Sequence, residues 1–254
     1  MEEQYIVEPY WDEVAKNISK RTDIKIIAGE DDPFYRHKRK LFLKLFNDVV
    51  FSGKIVLEIG SGPGGNLALV YEKGCKKVTG VDISNEMIAL AKQNLGKKDV
   101  EVIKIDGRTL PFEDGAFDLI YTSTVLQHNV QEDALIALVD EICRVSNSEI
   151  ILFERIETKI KGNETTTGRP VAYYKNLVEK HNFRLCKTKF LPIQCSYYIC
   201  GAIRKVFNSK NHKEGEPFTR LSINLQKLAL PITKLLDKAI PSNRDVAMLH
   251  FKKI

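Results

Sequence analysis

The segment Glu58-Ile59-Gly60-Ser61-Gly62-Pro63-Gly64-Gly65-Asn66 sets a carboxylate two residues ahead of a run of glycines. Glycine adopts turns closed to other residues and lets backbone approach a ligand closely, so a small molecule should lie against main chain here. Gly60, Gly62 and Gly65 satisfy G-x-G-x-x-G and Asp82 stands about twenty residues further on, so by spacing alone the loop also fits a dinucleotide fingerprint. Three features count against a nicotinamide or flavin: the acid before the first glycine, the long helical stretch ahead of the strand, and a further acid, Asp106, ending the third strand. Downstream, imidazole titrates near neutral pH and can take a proton from an attacking hydroxyl, which makes His128 the candidate general base. Glu154 is the second catalytic candidate. Cysteines 75, 143, 186, 195 and 200 are scattered with no C-x-x-C pair, so reduced thiols and no metal site are expected.

The elements that must carry these residues follow from periodicity. From Lys54 onward short β-rich runs alternate with helical patterns. The order is KIVLEIG, a helix from Asn66 to Lys73, KKVTGVDI, a helix from Asn85 to Leu95, VEVIKID, FDLIYTS, a helix from Glu132 to Val145, and EIILFERI. Strands alternating with helices mean crossover connections and a parallel sheet covered on both faces. Residues 1–50 read as an N-terminal helical cap, with Tyr10, Trp11, Val14 and Ile18 spaced for one face and Leu41, Leu45, Phe46 and Val49 for another. Residues 157–169 read as a polar loop, Pro170 opens a helix, and FRLCKTKFL and DVAMLHFKK are the last strands. Between them, at about 191–244, lies a helical insertion into the domain that spans 51–254.

Composition narrows the class. Among 254 residues, 43% are apolar and 28% charged, and 39 basic against 33 acidic side chains give a net charge of +6. Disordered, collagen-like and disulfide-scaffold proteins are excluded. Charged residues interrupt every apolar run, so no transmembrane segment is expected. The stretch MEEQYIVEPYWDEV lacks the basic start and apolar core of a secretory signal, and a cytoplasmic location follows as the expectation. The basic clusters Arg36-His37-Lys38-Arg39-Lys40 and Lys252-Lys253 lack interleaved aromatics and read as solvated faces, so no nucleic-acid partner is expected.

Taken together, VLEIGSGPGG, VTGVDIS, VIKIDGRTLPF and FDLIYTSTVLQH resemble, in order, the four motifs of the class I S-adenosylmethionine-dependent methyltransferases. The resemblance covers roughly residues 35–156. It implies a Rossmann-like α/β fold whose mostly parallel sheet has seven strands, the last antiparallel, and S-adenosyl-L-methionine as cofactor, released as S-adenosyl-L-homocysteine. Gly60, Ser61 and Gly62 would then admit the methionine part, Glu58 would balance its cationic centre, and Asp82 would accept from the ribose hydroxyls. Ile83 and Met87 would line the adenine. Asp106 would accept the adenine amino group, with Gly107 and Arg108 presenting backbone beside it. The resemblance also brings Thr124 and Gln127 to the cofactor and gives the helix bearing Tyr35 and Arg39 a basic contact to its carboxylate.

The Asn/Asp-Pro-Pro-aromatic sequence common in enzymes that methylate base or glutamine amines is absent after the fourth strand, and a small-molecule acceptor is expected instead. Tyr5, Tyr10, Trp11, Tyr173, Tyr174, Tyr197 and Tyr198 suit a pocket for a sugar ring or an aromatic acceptor. The first reading is methyl transfer to an oxygen, or else a nitrogen, of a small polar metabolite such as a sugar or nucleotide sugar. LQKLALPITKLLDKAI, with Lys227, Lys234 and Lys238 beside an apolar stripe, also suits a membrane surface, so a lipid-linked or quinone-like acceptor is one alternative. A non-catalytic cofactor-binding regulator is the other.

Overall fold

The alternating apolar runs pair into one sheet. In the computed structural model, which describes residues 7–21, 28–209 and 211–254, the chain runs α1 (Val7–Ser19), α2 (Pro33–Phe46), β1 (Ile55–Ile59), α3 (Gly65–Glu72), β2 (Lys77–Asp82), α4 (Asn85–Leu95), β3 (Glu101–Lys104) and β4 (Phe117–Ser123). A short 3-10 turn (Leu126–His128) follows, then α5 (Glu132–Val145), β5 (Ser146–Ile156), the two-residue strands β6 (Lys161–Gly162) and β7 (Thr167–Gly168), and α6 (Val171–Glu179). The chain closes with β8 (Phe183–Phe190), α7 (Gln194–Phe207), α8 (Arg220–Ala239) and β9 (Asp245–Lys253). Tyr5 lies outside the described residues.

The seven-stranded sheet has the order β3-β2-β1-β4-β5-β9-β8. The β1–β5 neighbours are parallel, while β9 runs antiparallel to both β5 and β8. Side chains alternate along each strand between two cores. Val56, Tyr121, Phe153 and Met248 face α2, α3 and α4, with Cys200 of α7 and Leu230 of α8. Leu57, Ile120, Leu152 and Leu249 face α5 and α6. Helix α1 packs through Val14, Ala15 and Ile18 onto Met87 and Leu90 of α4, which brings Trp11 over the ends of the strands.

Chain order reverses at β1, whose neighbours are β2 and β4, and an open parallel sheet leaves a crevice outside the strand ends at such a point. The glycine turn after β1 and the segment after β4 open into it. Gly60 needs its missing side chain: its φ is +65°, and a Cβ would stand 2.5 Å from Val125 Cγ2. Gly80 of β2 likewise makes room for the turn, since a Cβ would meet Leu67 Cδ1 at 2.6 Å and Ser61 Cβ at 2.8 Å. Ser84 starts α4 by accepting from the Met87 N–H, and Asp32 starts α2 by accepting from the Tyr35 N–H ahead of Pro33.

The polar 157–169 stretch is more ordered than its composition predicts. It forms the β6–β7 hairpin, anchored by Arg169, which is 1% exposed and donates to the Leu126 and Asn129 carbonyls at 3.2 and 2.9 Å. The Arg36–Lys40 cluster is not simply a solvated face either, because Lys38 forms a largely buried pair with Asp245 at 2.8 Å.

Candidate functional site

Two cavities meet at the carboxyl ends of β1, β2 and β4. The smaller, of about 100 Å³, is a slot bounded by Asp82, Ile83, Met87, Ile105 and Gly107. The larger, of about 640 Å³, runs from Glu58, Ser61 and Asn66 past Tyr35 and Arg39 of α2 to Arg155, Tyr197, Arg204 and Glu214. Trp11, Gly60, Gly62, Thr124 and His128 line both and form the junction.

Glu58 ends β1 on the α2 side, 1% exposed, with Oε1 accepting from Asn66 Nδ2 at 3.0 Å. Burial pushes its carboxyl up to about 8, against the smaller pull of Asn66, of the Tyr121 hydroxyl and of the Arg39 guanidinium. Glu58 Oε2, Ser61 Oγ and Asn66 Oδ1 are all buried here without a hydrogen-bond partner. Burial lowers the Arg39 pKa against the opposing pull of Glu58, and its guanidinium lies over the Phe42 ring. Asp82 is held by its own turn: Oδ2 accepts from the Gly62 N–H at 2.8 Å and Oδ1 from the Ser84 N–H at 2.9 Å. Burial raises its pKa against those two donors. Asp82 lines the slot, and a carboxylate has more acceptor sites than these donors occupy.

His128 is 5% exposed, edge-on to Trp11 with ring centroids 4.8 Å apart. Its Nδ1 lies 3.1 Å from the Thr165 carbonyl and its Nε2 2.9 Å from the Gln127 amide nitrogen. A carbonyl only accepts, so Nδ1 carries the proton and Nε2 presents its lone pair to the amide. Desolvation lowers the His128 pKa and keeps this neutral form. Thr124, at the junction, takes a φ of 60°, a conformation costly for a β-branched residue. It is held there by its N–H to the Phe153 carbonyl at 2.7 Å.

The structure places two of the expected site residues away from the cavities. Glu154, expected as a catalytic group, is placed away from the acceptor space: it is wholly buried, lines neither cavity, and accepts from Thr122 Oγ1 at 2.7 Å and from the Val125 and Gln127 N–H groups at 3.0 and 3.3 Å. Burial pushes it up to about 7, and its work is to clasp the segment that carries Thr124, Gln127 and His128. Asp106 is exposed and caps its own turn, accepting from the Arg108 and Thr109 N–H groups, while Arg108 points away to Asp133 at 2.7 Å. Neither lines the slot; Ile105 and Gly107 do.

Sequence reasoning missed several groups. Thr165 and Arg169 come from the segment read as a plain loop, and nothing in its composition signals them. Glu30 and Glu214 line the larger cavity, and burial together with Glu214 pushes Glu30 up to about 8. Of the aromatic set, Trp11 and Tyr197 reach the large cavity, Tyr10 donates to Glu214 at 2.7 Å, Tyr173 donates to Glu132, Tyr174 is fully buried and Tyr198 is half exposed.

A doubly wound sheet with a glycine turn and an acidic second-strand terminus at its switch point defines a Rossmann-like domain built for a nucleoside-bearing ligand. Residues 56–149 match a family model described as a methyltransferase domain, and the solved structures that share the fold include S-adenosylmethionine-dependent methyltransferases. Among curated proteins, a phosphatidylethanolamine N-methyltransferase of Cereibacter sphaeroides is 26% identical over 51% of this chain and 64% of its own length. A ribosomal protein L11 methyltransferase of Fusobacterium nucleatum is 30% identical over 61% of this chain and 49% of its own length. The chain thus spans about half to two thirds of these relatives. Among solved structures, the magnesium protoporphyrin IX methyltransferase of Synechocystis PCC 6803 with bound S-adenosylmethionine shares the fold, with a TM-score of 0.62 at 15% identity over 100% of this chain and 98% of that one. Among the described residues no helix is long and apolar enough to cross a membrane.

Proposed function

We propose that the chain transfers the methyl group of S-adenosylmethionine to an oxygen of a small polar metabolite, with a sugar or nucleotide sugar as the first class to test. The observation that carries this reading is the junction. A slot of nucleoside character opens, at His128 and Thr124, into a cavity of about 640 Å³ that mixes Trp11, Tyr35 and Tyr197 with Arg155 and Arg204. That volume is roomy for the methionine arm alone and leaves space for an acceptor rich in hydroxyls or charge.

The buried orphan atoms Glu58 Oε2, Ser61 Oγ and Asn66 Oδ1 fit a cationic, hydrogen-bonding ligand end. Glu58 and Asn66 would take the ammonium, Arg39 with Tyr35 the carboxylate, Asp82 the ribose hydroxyls, and Ile83, Met87 and Gly107 the adenine faces. When bound, S-adenosylmethionine supplies a methyl group on an already electrophilic sulfonium. The chain's own part is then alignment and proton removal. The Gln127 amide gives up His128 Nε2, the acceptor hydroxyl takes its place, and the proton passes to Nε2 while the Thr165 carbonyl holds Nδ1–H. The relatives are named for acceptors as unlike as phosphatidylethanolamine, a ribosomal protein and magnesium protoporphyrin IX, so none of these transfers to this chain.

Calorimetric titration with S-adenosylhomocysteine, repeated with pooled nucleotide sugars and with pooled amines, tests the reading. Micromolar binding that the sugar pool tightens supports it. Tightening by amines alone, or no binding by well-folded protein, overturns it.

A further inference from the structure

Helix α8 turns its polar stripe inward and its apolar stripe outward. Its buried positions are Ser222, Gln226, Leu230, Thr233 and Asp237, four of them polar. Gln226 donates to Asp32 and accepts from the Phe34 N–H, both at 3.2 Å, tying α8 to α2. Asp237 accepts from the Cys195 N–H at 2.6 Å, Thr233 Oγ1 meets Ser196 Oγ at 2.8 Å, and Ser222 Oγ accepts from Asn208 at 3.0 Å, tying it to α7. The polar side is consumed in fastening the helix. The other side exposes Leu221, Leu228, Ile232, Leu235 and Leu236, each between 42% and 73% accessible. On a helix of 3.6 residues per turn these share an arc of roughly 100°. A surface helix ordinarily does the reverse, and a contiguous apolar stripe left in water marks an interaction site.

Charge indicates what covers the stripe. Arg220, Lys227, Lys234 and Lys238 are all exposed and fall within roughly 40° of arc along one flank. The single acidic residue of α8, Asp237, is buried against α7, so the exposed surface of this helix carries positive charge alone. The ridge continues onto α2, where Lys40 and Lys44 are exposed and, with Lys234, press on His37; Asp237 is the acid facing that histidine. Branched apolar side chains beside a lysine ridge match the boundary between acyl chains and phosphate headgroups, where lysine stems reach back to the anions. A second copy of α8 would offer these lysines no carboxylate.

We propose that α8 docks the protein on the surface of an anionic lipid bilayer, its leucines and Ile232 in the interface and Arg220, Lys227, Lys234 and Lys238 against the headgroups. This holds whatever the methyl acceptor is. The test is co-sedimentation with vesicles of phosphatidylcholine alone and of phosphatidylcholine mixed with phosphatidylglycerol. The protein should partition onto the mixed vesicles, less so as salt rises, and weakly onto phosphatidylcholine. The triple variants Lys227→Glu/Lys234→Glu/Lys238→Glu and Leu228→Ser/Ile232→Ser/Leu235→Ser should each cut partitioning at least about tenfold. Both should keep the wild-type melting midpoint and S-adenosylhomocysteine affinity, which shows that the loss lies in the surface. Absence of vesicle binding at low salt, or binding that neither variant alters, overturns the proposal. So does a concentration-dependent dimer, dissolved by the serine variant, in protein that ignores vesicles.

Discussion

Cofactor binding should expel a proton from Glu58. In the free protein this carboxyl is enclosed, and burial holds it at about 8, so at pH 7 about nine molecules in ten carry it protonated. A ligand ammonium placed beside Glu58 Oε2 favours the carboxylate, at a cost of about 1 kcal/mol for ionising it at pH 7 that the new charge pair must exceed. The expected release is therefore about 0.9 proton per S-adenosylhomocysteine bound at pH 7, about half a proton at pH 8, and almost none well above that. Affinity should rise with pH up to about 8 and then level off. Calorimetry in two buffers of unlike ionisation enthalpy gives the proton count, and the difference between wild type and Glu58→Gln removes the contributions of the ligand's own amine and of other residues. The same shift opposes the free fold: between the ordinary 4.5 and about 8 the native state binds more protons than the unfolded chain, so Glu58 costs stability increasingly as pH rises through that window. Equal proton release by wild type and Glu58→Gln would refute the reasoning and move the ammonium elsewhere in the cavity.

Three further outcomes follow from the geometry. Asp82→Ala should weaken S-adenosylhomocysteine binding by about 1 to 3 kcal/mol, because the ligand hydroxyls lose a buried acceptor and the Gly62 N–H loses its partner; unchanged affinity by calorimetry would count against its placement. His128→Asn should lower kcat by about a hundredfold or more while sparing cofactor affinity. Because burial lowers the His128 pKa, the wild-type rate should fall only as pH drops below that depressed value, and a rate indifferent to the substitution removes the base assignment. Glu154→Ala strands the Thr122 hydroxyl and the Val125 and Gln127 N–H groups, and should cost about 2 to 4 kcal/mol in urea unfolding. Full stability with abolished turnover would return Glu154 to the chemistry.

The order of elements was open to reading because periodicity is a local property. Strand runs such as FDLIYTS and DVAMLHFKK, and the helices from Asn85 to Leu95 and from Glu132 to Val145, stand where apolar spacing places them. The glycine turn was equally legible, since a positive φ at Gly60 and its close approach to Val125 admit no other residue comfortably. What spacing does not encode is the direction in which a polar side chain at a strand end will point. Glu58 and Glu154 both end buried strands, yet Glu58 faces the cavity and Glu154 turns beneath it, because the donors that meet Glu154 come from a segment brought back by the reversal after β4. Asp106 closes on its own turn for the same reason: two nearby N–H groups were available to it. The hairpin that brings Thr165 to His128 depends on Arg169 finding carbonyls some forty residues away. In α8 the two stripes are plain in the amino-acid order, but burial of the polar one required partners on α2 and α7, and only folding supplies those.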